Sequence, residues 1–379
     1  MVAVHQVLPV LAPRDAIGNH TTAIRRSLKT VGVSGEIFAG EVVAGAADGA
    51  RSIREARPSK LAVMEPTLWL YHASTGSPVA EWFADLPGPK AIDYHNITPA
   101  EVLGPWEPHV GVELEHGRRQ LADLADVAGW ALADSAFNEA ELIGLGYRWT
   151  AVVPILLDTA HLADAVADAS LVAELRARRA KAGGADWLFV SRLLPHKGQH
   201  ELVKALAAYR LAYDPAARLT LVGAAGSSRY VDAVRDFVED LGLGDAVTIT
   251  GSVPPAALAA YFAVADVYVS ASTHEGFGVP LVEAMAHGLP IVAYASAAVP
   301  ETVDGAGILV DEQTPVVLAS AAHRVISDPT LAATLAAAGR RRLAELGAAP
   351  SERRLHRAIS HILGAAGLTP ADAPSLAGV

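Results

Sequence analysis

Residues 271–290 read ASTHEGFGVPLVEAMAHGLP, and this stretch decides the fold. Glu275 and Glu283 stand eight positions apart, with Gly276, Phe277, Gly278, Val279 and Pro280 between them. A glycine-containing loop that runs into a helix beginning near Pro280 fits that order, because proline has no N–H to satisfy and is tolerated in a first helical turn. Glycines leave backbone N–H groups bare enough for a ligand to approach, and a helix N-terminus favours an anion. Glu275 falls in the loop, and Glu283 about one turn inside the helix. A phosphate cradle with a carboxylate on each side suits a ligand that carries a diphosphate and sugar hydroxyls, which is a nucleotide sugar.

Residues 190–198, VSRLLPHKG, form the second signal. A strand ending at Val190 would deliver Arg192 and Lys197 in the loop before a helix near Gln199. Arginine grips a diphosphate through its fork, and lysine acts as a compact charge. Two solvated loop cations are the alternative, and the neighbouring Glu275–Glu283 element tips the reading to phosphate binding. Gly251, Ser252 and Val253 form another strand-end turn whose backbone could meet a nucleobase.

Outward from these loops, short apolar runs alternate with amphipathic stretches. Strands are predicted at residues 2–10, 68–72, 90–95 and 129–134, then at 187–191, 218–222, 246–250, 266–270, 290–294 and 307–310. Helices are predicted at 19–30, with Asn19 as N-cap, and at 174–181, 199–209, 230–241, 254–262 and 281–286. Such alternation predicts an α/β protein with two doubly wound parallel sheets, whose ligands lie beyond the carboxyl ends of the strands. The pattern loosens around residues 154–170, and 157–163 is the expected hinge. The expected division is a first domain over 1–160, a second over 161–349, a helix at about 350–366 and a flexible tail over 367–379. No internal repeat stands out.

At 379 residues, two domains are the prior, and with 51% apolar residues each can build a core. No apolar run reaches the length of a membrane span, and the N-terminus lacks the pattern of a secretory signal. The absence of cysteine excludes disulfides and thiolate metal sites and fits a cytoplasmic protein. A formal charge of −11 argues against nucleic acid as a partner and against polybasic membrane attachment. Between residues 1 and 160, acidic residues outnumber Lys and Arg by 19 to 12, which points to solubility or, more sharply, to a cationic acceptor.

Arg192, Lys197, Glu275 and Glu283, with HEGFGVPLVEAMAHGLP around the acidic pair, resemble the retaining glycosyltransferases of family 4. The first half is similar more loosely, through the glycine loop after the first strand and through ALADSAFNEAELIGLGY at 131–147. The resemblance implies a GT-B fold, two Rossmann-like domains facing a central cleft, with the acceptor on the first and the nucleotide sugar mainly on the second. It also implies a C-terminal helix returning to the first domain, and no metal. In the roles it implies, Arg192 and Lys197 hold the diphosphate and stabilise the charge that grows as it leaves. Glu283 takes the ribose hydroxyls, and Glu275 lies near the transferred sugar beside the backbone N–H groups of Phe277 and Gly278. Gly18, in DAIGNH, stands for the family's glycine loop, where the common glycine pair is reduced to one. His95, in DYHNITP, resembles the histidine whose backbone or ring touches the sugar.

His72 ends the neighbouring strand and competes with His95, while His20 ranks lower. Tyr94, Asn96 and Thr98 are acceptor-pocket candidates by proximity, and Trp106 is a loop plug or an acceptor platform. The function expected is retaining transfer of a sugar from a UDP- or GDP-sugar to a hydroxyl of a small-molecule, natural-product or glycan acceptor. A front-face path is expected, since no carboxylate nucleophile stands out in the first domain. The alternatives are a GT-B sugar-nucleotide epimerase and a catalytically silent nucleotide-sugar-binding protein. A pyridoxal phosphate-dependent phosphorylase is remote, since no lysine is marked for a Schiff base. Nucleobase, sugar, acceptor and oligomeric state stay open.

Overall fold

Strands that are apolar on both faces need helices on both faces, and the two central strands of this chain are of that kind. The computed structural model describes residues 2–13, 15–46, 49–56, 58 and 65–368. Of the tail expected over 367–379, residues 369–379 lie outside the described residues. β1 (Ala3–Leu11) is buried at every position but Val10. It leads a seven-stranded sheet with β2 (Ile37–Val42), β3 (Ala50–Ser52), β4 (Thr67–Ala73), β5 (Lys90–Tyr94), β6 (Trp130–Ala133) and β7 (Thr150–Val152). The spatial order is β3-β2-β1-β4-β5-β6-β7, and every pairing is parallel.

β8 (Asp186–Val190), buried throughout, leads a six-stranded sheet with β9 (Arg218–Val222), β10 (Val247–Gly251), β11 (Val267–Ser270), β12 (Ile291–Tyr294) and β13 (Gly307–Val310). Its order is β10-β9-β8-β11-β12-β13, again all parallel. Both sheets are therefore doubly wound. The order reverses between β1 and β4 in the first and between β8 and β11 in the second, and such reversal points leave a crevice for ligands.

The described residues of Met1–Glu101, His109–Leu157 and Leu346–Val379 form one compact unit, and those of Val102–Pro108 and Asp158–Glu345 form the other. The helix Ala348–Ala365 belongs to the first unit. Its Leu355, Ile359, Ile362 and Leu363 are buried with Ile24 and Leu28 of the helix Ala16–Thr30. Beside them, Ser27 Oγ and His356 Nε2 meet at 2.9 Å. Full burial of each such aliphatic side chain is worth about 1.5–3 kcal/mol. In the second unit, Trp106 packs edge-on to Tyr230 with ring centres 5.2 Å apart, and Arg229 Nη1 donates to its carbonyl.

One cap differs from the sequence expectation. The helix Ala16–Thr30 starts at Asp15, whose carboxylate accepts the Gly18 N–H at 2.9 Å, and Asn19 lies inside it. Nothing between Ala16 and Asn19 resists helical dihedrals, so the helix propagates back to the earlier capping residue. Among the described residues no helix is long and apolar enough to cross a membrane.

Candidate functional site

The loops at the β8/β11 reversal carry most of the singled-out residues. β8 ends at Val190, and the chain passes Ser191 and Arg192 to a single 3₁₀ turn, Pro195–Lys197. It enters the helix Gln199–Ala212 through Gly198, which is left-handed at φ 69°. A Cβ on Gly198 would lie 2.4 Å from the Ala271 carbonyl oxygen, just past β11. Glycine thus lets the two loops touch, and the Thr273 amide donates to the His196 carbonyl at 2.8 Å as a second tie. The second loop turns at Gly278, φ 90°, into the helix Val279–Ala286, with Pro280 in its first turn. The amides at this helix start precede the first intrahelical bond, so they are the groups a helix offers to an anion.

Lys197 Nζ lies 2.8 Å from Glu275 Oε1, and the two side chains are 14% and 15% exposed. Arg192 is exposed and makes no ion pair among the described residues, while Gln199 Nε2 holds its carbonyl at 3.0 Å. Glu283 sits one turn into the helix, where burial pushes its carboxyl up to about 7. The residue is half-buried, and no donor reaches its carboxylate among the described residues. Phe277 is buried, and its carbonyl accepts from the Thr302 hydroxyl. The His196 ring is held neutral by burial, reinforced by Lys197, His274 and Arg192. Ser252, exposed, and Val253, packed against the core, follow β10. The fold thus gathers Arg192, Lys197, Glu275, Gly276, Phe277, Gly278, Val279 and Glu283 on two loops and one helix start. Two cations and a helix N-terminus can neutralise a dianion, which must compete with Glu275 for Lys197.

The first unit gathers a different set. His20, His72, His95, Asp93, Asp134 and Gln6 are all buried. Their proton positions follow from fixed donors. Gln6 Nε2 donates to the Thr21 carbonyl, which leaves Gln6 Oε1 to accept from His72 Nε2 at 2.9 Å. His72 Nδ1 is then bare and accepts from His95 Nε2 at 2.9 Å. His95 Nδ1 lies 3.0 Å from both oxygens of Asp134. The Leu156 amide donates to His20 Nδ1, so His20 Nε2 carries its proton toward Asp93 Oδ2 at 3.1 Å. Burial opposes charge on His95, but Asp134 and Asp93 outweigh it and raise the ring to about 9. Burial instead holds His72 well below the usual histidine range. Asp93 also resists burial, because the His95 cation and the His20 hydrogen bond keep its carboxyl low.

His20, Asp93, His95 and Asp134 offer ligand atoms within 4.8 Å of one another. A divalent ion there would need bare nitrogens, yet the inward nitrogens of His20 and His95 carry protons already committed to Asp93 and His72. The set fits a hydrogen-bonded cluster rather than a metal cage.

Two of the acceptor candidates around it, Tyr94 and Asn96, are already engaged. The Tyr94 hydroxyl donates to Glu141 Oε2 at 2.9 Å and accepts from the Ile97 amide. Asn96, at φ 74°, donates to Asn138 Oδ1 at 2.8 Å, and Thr98 is half-buried in the same loop. Gly18 lies in a helical turn with its amide taken by Asp15. Sequence reasoning passed over Asp93, Asp134 and Gln6. Their available signal was a carboxylate inside an apolar strand run, in KAIDYH and ALADS.

Comparison with known proteins gives the class. Residues 173–342 match the family of glycosyl transferases group 1. A GDP-mannose-dependent alpha-(1-6)-phosphatidylinositol monomannoside mannosyltransferase of Mycobacterium tuberculosis is 36% identical over 182 residues, 46% of each chain. The protein of the same name from Mycolicibacterium smegmatis is 30% identical over 269 residues, 64% of this chain and 68% of that one. The first of these alignments thus spans under half the relative's length. Sucrose-phosphate synthase of Thermosynechococcus elongatus has the same fold at 20% identity, with a TM-score of 0.74 over 96% of this chain and 100% of that one. The two doubly wound units are those of the GT-B fold. The chain belongs to the glycosyl transferases group 1 family.

Proposed function

We propose that this protein transfers a sugar, with retention, from a nucleoside diphosphate sugar to a hydroxyl group. The observation that carries the reading is the β8/β11 reversal, where Lys197 pairs with Glu275, Arg192 lies in the same loop as Lys197, and a half-buried Glu283 with no partner among the described residues sits one turn into the helix that follows Glu275. Arg192, Lys197 and the amides of Phe277 and Gly278 hold the diphosphate, and Glu283 accepts the ribose hydroxyls. In a front-face path the leaving phosphate oxygen takes the acceptor's proton, and the two cations stabilise the charge that builds on it. Relatives named as GDP-mannose-dependent make GDP-mannose the first donor to try. No step calls on a metal.

The test is a thermal-shift panel of GDP, UDP, ADP and their sugars on wild type and Lys197→Ala. A ligand that binds only the folded state adds about 2.7 kcal/mol at about a hundred times its dissociation constant. Stabilisation by one nucleotide family, lost in the variant, is the expected result and names the base. No shift with any nucleotide, or an equal shift in the variant, rejects the donor site. Product analysis with donor alone separates transfer from epimerisation, since an epimerase converts its donor without an acceptor.

A further inference from the structure

We propose that Thr302 is a positioning residue for the donor's diphosphate, its hydroxyl fixing the peptide between Phe277 and Gly278 so that the Gly278 N–H faces the ligand rather than the core. This rests on the transferase reading above, and it puts control of that amide on a five-residue helix outside the charged loops.

The helix Val299–Val303 follows β12 and is sealed in the core, with Val299, Thr302 and Val303 all buried. Three hydrogen bonds tie this segment to the loop after β11. In each the donor lies within residues 296–302 and the acceptor is a loop carbonyl. Ser296 Oγ donates to the Ser272 carbonyl, the Ala298 amide to the Glu275 carbonyl and Thr302 Oγ1 to the Phe277 carbonyl. The short helix is anchored in turn by Arg342 of the helix Pro329–Leu346, whose guanidinium donates to the carbonyls of Glu301 at 2.7 Å and Thr302 at 3.2 Å. A planar trans peptide points its C=O and its N–H in opposite directions. Thr302 therefore turns the Gly278 N–H away from the short helix, and among the described residues that amide meets no backbone acceptor. Gly278 is left-handed at φ 90° and has no Cβ to resist rotation, so the loop by itself leaves this peptide plane free to flip. A flipped plane would turn the N–H to the core and present a carbonyl oxygen to the diphosphate, replacing attraction by repulsion. The Thr302 hydrogen bond holds the plane in the first orientation.

Phe277–Gly278 is the only Phe-Gly pair in the sequence. The full chain labelled with ¹³C-carbonyl phenylalanine and ¹⁵N-glycine therefore gives a single correlated NMR signal, that of the Phe277 carbonyl with the Gly278 amide. The probe is inorganic pyrophosphate, the part common to every nucleoside diphosphate. In the wild type the Gly278 amide should shift on titration with it. Thr302→Val should move the Phe277 carbonyl line upfield in the free protein and weaken pyrophosphate binding about tenfold. Thr302→Ser should restore both. A purely packing role predicts the reverse, since Thr302→Val keeps the methyl group and Thr302→Ser loses it. An unmoved carbonyl line in Thr302→Val, wild-type affinity in that variant, or no rescue by Thr302→Ser overturns the proposal. If Thr302→Val does not unfold cooperatively, Thr302→Ala takes its place under the same outcomes. Pyrophosphate that stabilises the wild type against heat without moving the Gly278 amide overturns the positioning role and leaves the donor site standing. A wild type that neither pyrophosphate nor any nucleotide stabilises rejects the donor site, and the proposal with it.

Discussion

The two units share one topology and use their sheets' carboxyl ends in opposite ways. At the β8/β11 reversal the charged groups sit on two loops and a helix start, partly open, and among the described residues one ion pair, Lys197 with Glu275, ties them. Below the carboxyl ends of β4, β5 and β6 the charged groups are sealed in the core, each committed to another member of the cluster. An open pair can exchange partners with a ligand, because water covers the cost of separation. A sealed cluster cannot, because an unpaired buried charge costs several kcal/mol. One region can therefore exchange its partners, and the other holds a shape.

The largest test of that contrast is Lys197→Ala. Turnover should fall about a hundredfold or more, as for the loss of a key electrostatic donor. Near-wild-type steady-state rates would end the distinction by showing that the open pair does no chemistry. Gly198→Ala should come next, destabilising by about 2–3 kcal/mol in urea unfolding, because a left-handed residue gains a Cβ against the Ala271 carbonyl. A loss below about 0.5 kcal/mol would show that the two loops are not tied there.

Glu283 adds a pH signature. Its carboxyl is raised from an ordinary 4.5 to about 7, so its contribution to stability is full below 4.5 and is lost as pH rises through 7. Glu283→Gln should flatten that window and stabilise the free protein at pH 8 by about 2 kcal/mol, while weakening donor binding about tenfold. His95 runs by the same sign in a higher window, since its ring is raised from 6.5 to about 9 and its contribution is full below 6.5 and is lost as pH rises from there through 9. Urea titrations across pH 4–9 that fail to separate the two steps would merge what the geometry keeps apart. The smallest effect is the control. Lys204→Ala removes a half-buried i,i+3 pair with Glu201 and should change stability by less than about 1 kcal/mol.

How much of this was legible depends on range. β8, β9, β11, β12 and β13 announce themselves as apolar runs between helical stretches, and the structure places them within a residue or so of the reading. β2 escaped because Gly40 and Glu41 interrupt its apolar run, and β3 and β7 because three residues carry no period. The Asp15 cap was missed because two good capping residues, Asp15 and Asn19, stand a turn apart, and only helix propagation chooses between them.

The site divides in the same manner. Arg192, Lys197, Glu275 and Glu283 could be named from sequence because each loop and helix start is written in consecutive residues. Glycine and proline fix those turns locally. His20, His72 and His95 could be listed only as rival candidates, since which of 14 histidines meet is a matter of strand order. Parallel pairing of β4, β5 and β6 sets His72 beside Asp93 and brings Asp134 to His95, from residues 21 to 62 positions apart. Local chemistry thus determined the alternation of strands and helices, the family and the charged loop. Long-range packing alone decided which polar groups were shut away together, because only burial makes a partner obligatory.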